Sequence, residues 1–286
     1  MSKDKKILLI PVIFLILLLG CVFYYRYNNR RPPEFKVTFL DIGQGDATLI
    51  QFNNGQKMLL DCGIDKKILS QLGEALPFYD RTIDFLMVSH PDLDHYGGCV
   101  DVLKNYKVKQ IITNGQKKYD SFWKTFDQAM QNEGADIKII GSPQVWTIAS
   151  STLEFLSPDK DLVLDVGAED SNNYSIVFRL KNNDKSFLLT ADTEMPLENA
   201  LLQKYCIVTS TEPCLALQAG ILKVGHHGSD SSSGEEFLQA VGAKKGIISS
   251  GKNNKYGHPS RRVMKKLERA GMEILRTDLL GSIVDY

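Results

Sequence analysis

The sequence predicts an α/β (α+β) fold in four layers, αββα, with two sheets packed face to face and helices outside. Three observations predict it. Short runs of β-forming residues dominate both halves of the chain, with helical segments between them and no repeat or low-complexity tract. Several of the apolar runs end directly in His or Asp, which places a candidate site along one rim of the sheets. The hydrophobic fraction, 43%, is that of an ordinary globular protein, and residues 35–286 suffice for a sizeable core.

The elements follow in order. Residues 35–40 (FKVTFL) alternate and read as a strand that runs into the two-glycine loop DIGQGD at 41–46. Residues 47–52 and 57–61 are strands joined by the turn Asn53-Asn54-Gly55, so the domain opens as a β-meander. A helix is expected over 66–76, an apolar strand over 83–89 ending at His90, and a helix over 98–106. Strand 108–113, helix 119–132 and strands 136–140 and 151–155 follow. Residues 174–180 and 186–190 pair around the turn Asn182-Asn183-Asp184. Helix 197–205, strand 221–224, helix 235–241, strand 246–250, helix 260–270 and strands 273–276 and 282–285 complete the chain.

Four regions are expected: a short charged start at 1–6, an apolar segment at 7–25, a linker at 26–34 and one large folded domain at 35–286. The apolar segment carries no charge and is long enough to span a hydrocarbon core, which needs about 20 residues. Basic residues flank it on both sides, so charge does not orient it. Three readings stay open: a single-span anchor, a lipoprotein signal (LLGC at 18–21) and a cleaved secretory signal. Each favours an extracytoplasmic domain, membrane-anchored or secreted. Arg30-Arg31-Pro32-Pro33 reads as a stiff polar linker.

Charge balances at 34 Lys+Arg against 34 Asp+Glu, so only a local basic patch could attract a polyanion. The five cysteines form no CxxC pair and no zinc-finger spacing. Cys206 and Cys214, eight apart, are equally readable as a local disulfide or as two thiols. Histidine is more informative: all five fall into three short clusters, at 90–95, 226–227 and 258.

His90-Pro-Asp92-Leu-Asp94-His95 puts four metal-competent side chains within six residues, directly after an apolar strand, and Gly97-Gly98 lets the backbone approach closely. Imidazole with carboxylate suits Zn²⁺, Mn²⁺ or Fe. Phe187 to Ala191 delivers the carboxylate of Asp192 at a strand end. Leu222 to Gly225 delivers His226 and His227 into a Gly/Ser-rich loop.

These elements, in this order, resemble the metallo-β-lactamase superfamily, and within it the metallo-hydrolase domain of ComEC-type DNA-uptake proteins. The stretches that carry the resemblance are LDIGQGDATLIQ (40–51), SHPDLDHYGG (89–98), NNYSIVFRL (172–180), LLTADTE (188–194), LKVGHHGS (222–229) and ISSGKNNKYGHPS (248–260). The resemblance implies two divalent metal ions, Zn or Mn. His90 and Asp92 match the first-metal positions, Asp94 and His95 the second, and Asp192 the bridging carboxylate. One of His226 and His227 matches the last histidine ligand and the other would face substrate phosphate. Asp94 would align or deprotonate the attacking water, whose pKa the metals lower towards about 7, with the two ions about 3.5–4 Å apart. His258 would bind phosphate or protonate the leaving oxygen. Asp46 and Asp61 are candidates to orient ligand imidazoles, alongside plain turn capping.

Two departures from the pattern bear on the first metal. Asp92 stands where many superfamily members have His, although the ComEC-type branch resembles this chain there, and no histidine lies between His95 and His226; Asn173 or Ser175 occupies that region. The first site is therefore expected to be weaker and oxygen-rich.

The implied function is hydrolysis of a phosphodiester, with DNA the leading substrate. The basic stretch 252–269 beside His258 could track a phosphate backbone or be a solvated helix face, and Tyr256 could stack on a base. The alternatives are a phosphodiesterase on small or cell-envelope esters, and a non-catalytic anchored nucleic-acid-binding module.

Overall fold

The computed structural model describes residues 3–28, 33–162, 164, 166–167, 170–206 and 214–285. The expected linker therefore lies partly outside the described residues, as does the stretch between Cys206 and Cys214. The chain divides into two compact units, Met1–Pro33 and Glu34–Tyr286. The first holds one helix, α1 (Lys3–Asn28), with Pro11 inside it. Side chains in α1 are described from Pro11 to Tyr25, all exposed. Among the described residues, no helix is long and apolar enough to cross a membrane.

The second unit begins with β1 (Lys36–Phe39), β2 (Thr48–Gln51), β3 (Lys57–Leu60), α2 (Lys67–Ala75) and β4 (Thr82–Met87). It continues with α3 (Leu93–Tyr96), α4 (Cys99–Asn105), β5 (Lys107–Thr113), α5 (Ser121–Glu133) and β6 (Asp136–Ile139). The second half supplies β7 (Gln144–Ile148), β8 (Ser151–Ser157), β9 (Val177–Asn182), β10 (Lys185–Leu189) and α6 (Met195–Tyr205). Then come β11 (Ile221–Lys223), α7 (Glu235–Val241), β12 (Lys245–Ile248), α8 (Arg261–Arg269), β13 (Glu273–Arg276), α9 (Thr277–Leu280) and β14 (Ile283–Asp285).

The strands form two seven-stranded sheets, ordered β14-β1-β2-β3-β4-β5-β6 and β13-β12-β11-β10-β9-β8-β7. Each half repeats one plan: antiparallel strands first, then parallel strands joined by helical crossovers. Three cores separate four layers. Met58, Met87, Phe178 and Phe187 share the core between the sheets. Leu49, Leu86, Val102 and Phe126 pack the first sheet's outer face under α4 and α5. Leu188, Leu222, Leu201 and Val263 do the same for the second sheet under α6 and α8. The period-two pattern decides the layer: Leu86 faces the helices and its neighbour Met87 faces the other sheet.

Three details depart from the sequence expectation. β7 was not expected, because Gly141-Ser142-Pro143 reads as loop; it forms by pairing antiparallel with β8 from Gln144↔Phe155 to Ile148↔Ser151. The strand expected from 174 begins instead at Val177, after a 3₁₀ turn over Asn172–Tyr174. The short helices α3 and α9 were also missed, since four residues carry no readable period. The Cys206–Cys214 disulfide is formed, and a second one, Cys62–Cys99, joins residues 37 apart that the sequence did not suggest pairing.

Candidate metal centre

The site lies where parallel strands of both sheets end, the position at which open α/β sheets present ligands. β4 ends two residues before Ser89 and His90, and α3 follows as a single turn that carries Asp94 and His95. Tyr96 fixes that turn: its buried ring lies edge-on to Trp123 and against Phe126 of α5, which leaves His95 directed at the site. Asp61 follows β3, Asp192 follows β10, and His227 follows β11. His226 and His227 both hold a left-handed backbone (φ 45° and 54°), a costly conformation for a residue with a Cβ that turns two adjacent imidazoles towards one centre.

Asp94, His95, Asp192 and His227 offer ligand atoms that all lie within 4.8 Å of one another. His95 Nε2 is 3.3 Å from Asp192 Oδ2, and His227 Nε2 is 3.4 Å from the same oxygen and 3.3 Å from Asp94 Oδ2. The far nitrogens are spoken for. His95 Nδ1 donates to Asp61 Oδ2 at 2.9 Å, and Asp61 is itself held by the Ser89 amide and hydroxyl, both at 2.7 Å. His227 Nδ1 donates to the Ser249 carbonyl at 3.0 Å. Both rings are thereby fixed in the tautomer that leaves Nε2 as a lone-pair donor.

A divalent cation fits this group. His95 Nε2, His227 Nε2 and Asp192 Oδ1 are buried without a hydrogen-bond partner, and buried polar atoms of this kind call for an ion or another ligand. The electrostatics agree. Burial works against charge on Asp192, yet the imidazoles of His227 and His95 hold its carboxyl well below the usual range. Burial likewise opposes protonation of His95 and His227, but Asp192 with Asp61, and Asp192 with Asp46 and Asp94, hold them well above the ordinary imidazole value. The negative potential that retains those protons is what a metal cation would exploit on replacing them.

The remaining expected residues are placed around this group. His90 is fully buried, its Nδ1 3.0 Å from Ser89 Oγ and its Nε2 without a partner; burial and then His95 push its protonation down. Asp92 lies outside the four-ligand group, with Oδ2 3.8 Å from His90 Nε2 and Oδ1 accepting from Lys118 Nζ at 2.6 Å and Ser171 Oγ at 2.5 Å. The pair of histidines resolves by geometry: His227 joins the ligands, whereas half-buried His226 gives Nδ1 to Glu194 Oε1 at 2.8 Å and stands 3.7 Å from Asp192 through Nε2. His258 faces both, its ring centroid 5.7 Å from that of His226, with Nδ1 unpartnered. Asp46 makes a buried ion pair with Lys223 Nζ at 2.8 Å and lies 3.4 Å from His227 Nδ1. Asn173 is no ligand substitute: it bonds Asp170 and Glu194 and caps the Leu197 amide at the start of α6.

Gly45 explains how the 41–46 loop reaches the site. A Cβ there would lie 2.1 Å from the Asp94 carbonyl oxygen, and its φ of +108° suits glycine. The Cys62–Cys99 disulfide ties the residue after Asp61 to the helix after His95, and the Cys62 amide also donates to the His95 carbonyl at 2.7 Å. Sequence reasoning passed over Lys118, Ser171, Glu194 and Lys223. Glu194 alone had a signal, its place two residues after Asp192.

Residues 40–252 match the family model for the metallo-beta-lactamase superfamily. ComE operon protein 3 of Bacillus subtilis (strain 168) is 30% identical over 289 residues, covering 95% of this chain and 34% of that protein. Recombination protein 2 of Haemophilus influenzae is 30% identical over 286 residues, covering 98% of this chain and 32% of that protein. The chain thus spans about a third of the length of these curated relatives. Among solved structures, the metallo-beta-lactamase fold protein YhfI from Bacillus subtilis aligns with a TM-score of 0.55 at 14% identity, over 88% of this chain and 100% of that one, a likeness of fold alone. With all four convergent ligands inside the matched stretch, the chain belongs to the metallo-beta-lactamase superfamily.

Proposed function

We propose that the chain is a metal-dependent phosphodiesterase whose substrate is DNA. The observation that carries the reading is the convergence of Asp94, His95, Asp192 and His227 with unpartnered, buried donor atoms aimed at one point. The relative named Recombination protein 2 supports DNA over other esters. A divalent cation, Zn or Mn, held by these four residues supplies Lewis acidity towards a phosphoryl oxygen and lowers the pKa of water. Around it the chain's own residues divide the work. Asp94, the least buried ligand, accepts a proton from the attacking water. His226, steadied by Glu194, meets a phosphate oxygen, and His258 passes a proton to the leaving oxygen through its free Nδ1. A second cation, expected from the resemblance, would have to share Asp92 with Lys118.

The basic stretch supports a polyanion only in part. Arg262 and Arg269 of α8 are 3.7 Å from Asp230 and 3.0 Å from Glu235, which leaves Lys252, Lys255, Arg261 and Lys265 as its better candidates for phosphate contacts. We also propose that residues 7–25 anchor the chain to a membrane with the hydrolase unit outside the cytoplasm. Two disulfides favour an oxidising compartment.

The test is incubation of the purified full chain with Mn²⁺ or Zn²⁺ and, separately, single-stranded DNA, duplex DNA and a chromogenic phosphodiester. DNA cleavage that disappears in Asp192→Ala is expected. Cleavage of the small ester alone would replace DNA with a small or cell-envelope phosphodiester. DNA binding without turnover under either metal would make the chain a non-catalytic nucleic-acid-binding module. Digestion of the hydrolase unit by protease added outside the intact cytoplasmic membrane is expected; digestion only after that membrane is lysed would sink the placement.

A further inference from the structure

We infer that Lys118 takes the place of a second metal ion, so that the chain works with one divalent cation and one fixed ammonium. The argument starts from which donor atoms are free. The four ligands of the metal centre leave three buried atoms unsatisfied, as a cation site should. The residues left for a second ion are His90, whose Nε2 is also buried without a partner, and Asp92, with Asp192 Oδ1 the atom they could share with the first ion. They join no group of three or more His, Cys, Asp or Glu ligand atoms among the described residues. His90 Nε2 and Asp92 Oδ2 lie 3.8 Å apart, a spacing one ion could span, so the state of Asp92 decides whether a second ion binds.

Asp92 is moreover already neutralised. Lys118 Nζ donates to Oδ1 at 2.6 Å, and Ser171 Oγ donates to the same oxygen at 2.5 Å. These partners come from two segments far apart in sequence, the loop after β5 and the turn before β9. Both are held in place. Asn114 Nδ2 in the Lys118 loop donates to the Tyr174 carbonyl at 3.0 Å and to Gln116 Oε1 at 3.0 Å. A doubly charged ion on Oδ2 would sit within a few ångströms of the ammonium on Oδ1, where like charges repel strongly. His90 and a shared oxygen of Asp192 would be its remaining protein ligands among the residues named.

Lysine suits this role for a physical reason. Its ammonium is a compact point charge with three donors, able to hold a carboxylate and still present a proton to an anion. A second cation would neutralise charge on the Asp92 side of the site; Lys118 does so permanently and without depending on metal supply. That an ammonium there meets a phosphoryl oxygen rests on the phosphodiesterase reading, whereas the metal count does not, so the two fail independently.

Equilibrium dialysis of the full chain against Mn²⁺ and against Zn²⁺, with bound metal read by elemental analysis, tests the inference. The native chain should hold one equivalent, and Lys118→Ala and Lys118→Gln should each take up a second, bound roughly tenfold or more tighter than by the native chain. Lys118→Arg should stay at one. Lys118 lies in a partly exposed loop, and an unchanged melting temperature together with retention of the first equivalent shows each variant is folded. Two equivalents in the native chain, or one in both neutral variants, would overturn the inference.

Discussion

Asp61 shows at the scale of one residue how far the site depends on groups that touch no metal. It fixes the tautomer of His95 and is itself fixed by Ser89 through two hydrogen bonds of 2.7 Å. Replacing it by Asn keeps the size but allows the amide to present a donor to Nδ1, which would turn the proton towards Nε2. Asp61→Asn is expected to weaken metal affinity by roughly 10–100-fold with the fold retained, read by competition with a chromogenic chelator. An unchanged affinity would show that Asp61 only caps its turn. Legibility at this scale followed chemistry and spacing. The six-residue cluster at 90–95 could be read because four donor types crowd one loop, and Asp61 because a carboxylate closes an apolar strand. Lys118 could not, since a lysine in Lys117-Lys118-Tyr119 looks like any solvated one until folding brings it across to Asp92. The choice between His226 and His227 needed the folded distances to Asp94, Asp192 and Glu194, which adjacent identical residues do not encode.

At the scale of an element, α7 is capped by an unusual device. The carboxylate of Glu198, on α6, accepts the amides of Ser233 and Gly234 at 2.7 and 2.8 Å where α7 begins. Burial raises its pKa to about 7, despite those two donors and Lys266, which act in the opposite direction. The folded value is above the unfolded one near 4.5, so the associated stability is fully present below 4.5 and is lost as pH rises through about 7. Its full loss is on the order of 3 kcal/mol. The native chain should therefore melt at falling temperature from pH 5 to pH 8 relative to Glu198→Gln, which cannot ionise; parallel curves for the two would remove Glu198 from the account. Most elements were legible because their hydrophobic period matched their layer. β7 was not, since a strand of five residues with only Ile148 buried depends on its partner β8 rather than on its own pattern.

For the whole molecule, the metal centre is a joint between halves. Asp94 and His95 come from the half that builds the first sheet, Asp192 and His227 from the half that builds the second. A cation bound by all four cross-links the halves and binds the folded state alone. At a free metal concentration of 100 times Kd it should stabilise the fold by about 2.7 kcal/mol, seen as a rise in melting temperature. Asp192→Ala should abolish most of that rise. An equal rise in the variant would place the ion elsewhere. The two-sheet architecture was legible from the order of elements, while the cross-connections that complete the site were not. The Cys62–Cys99 link joins residues 37 apart, and no spacing rule singles out that pair.

The pairing of β14 with β1 has a consequence for how such a unit travels between proteins. Val37 at the start of the unit lies opposite Asp285 at its end, so chain enters and leaves beside one edge of one sheet. Further polypeptide joined at either point need not thread the core or disturb the rim that bears the ligands, which lies at the ends of strands elsewhere in the two sheets. A unit with neighbouring ends behaves as a cassette, open to further polypeptide at either end with the arrangement of its ligand-bearing rim left intact.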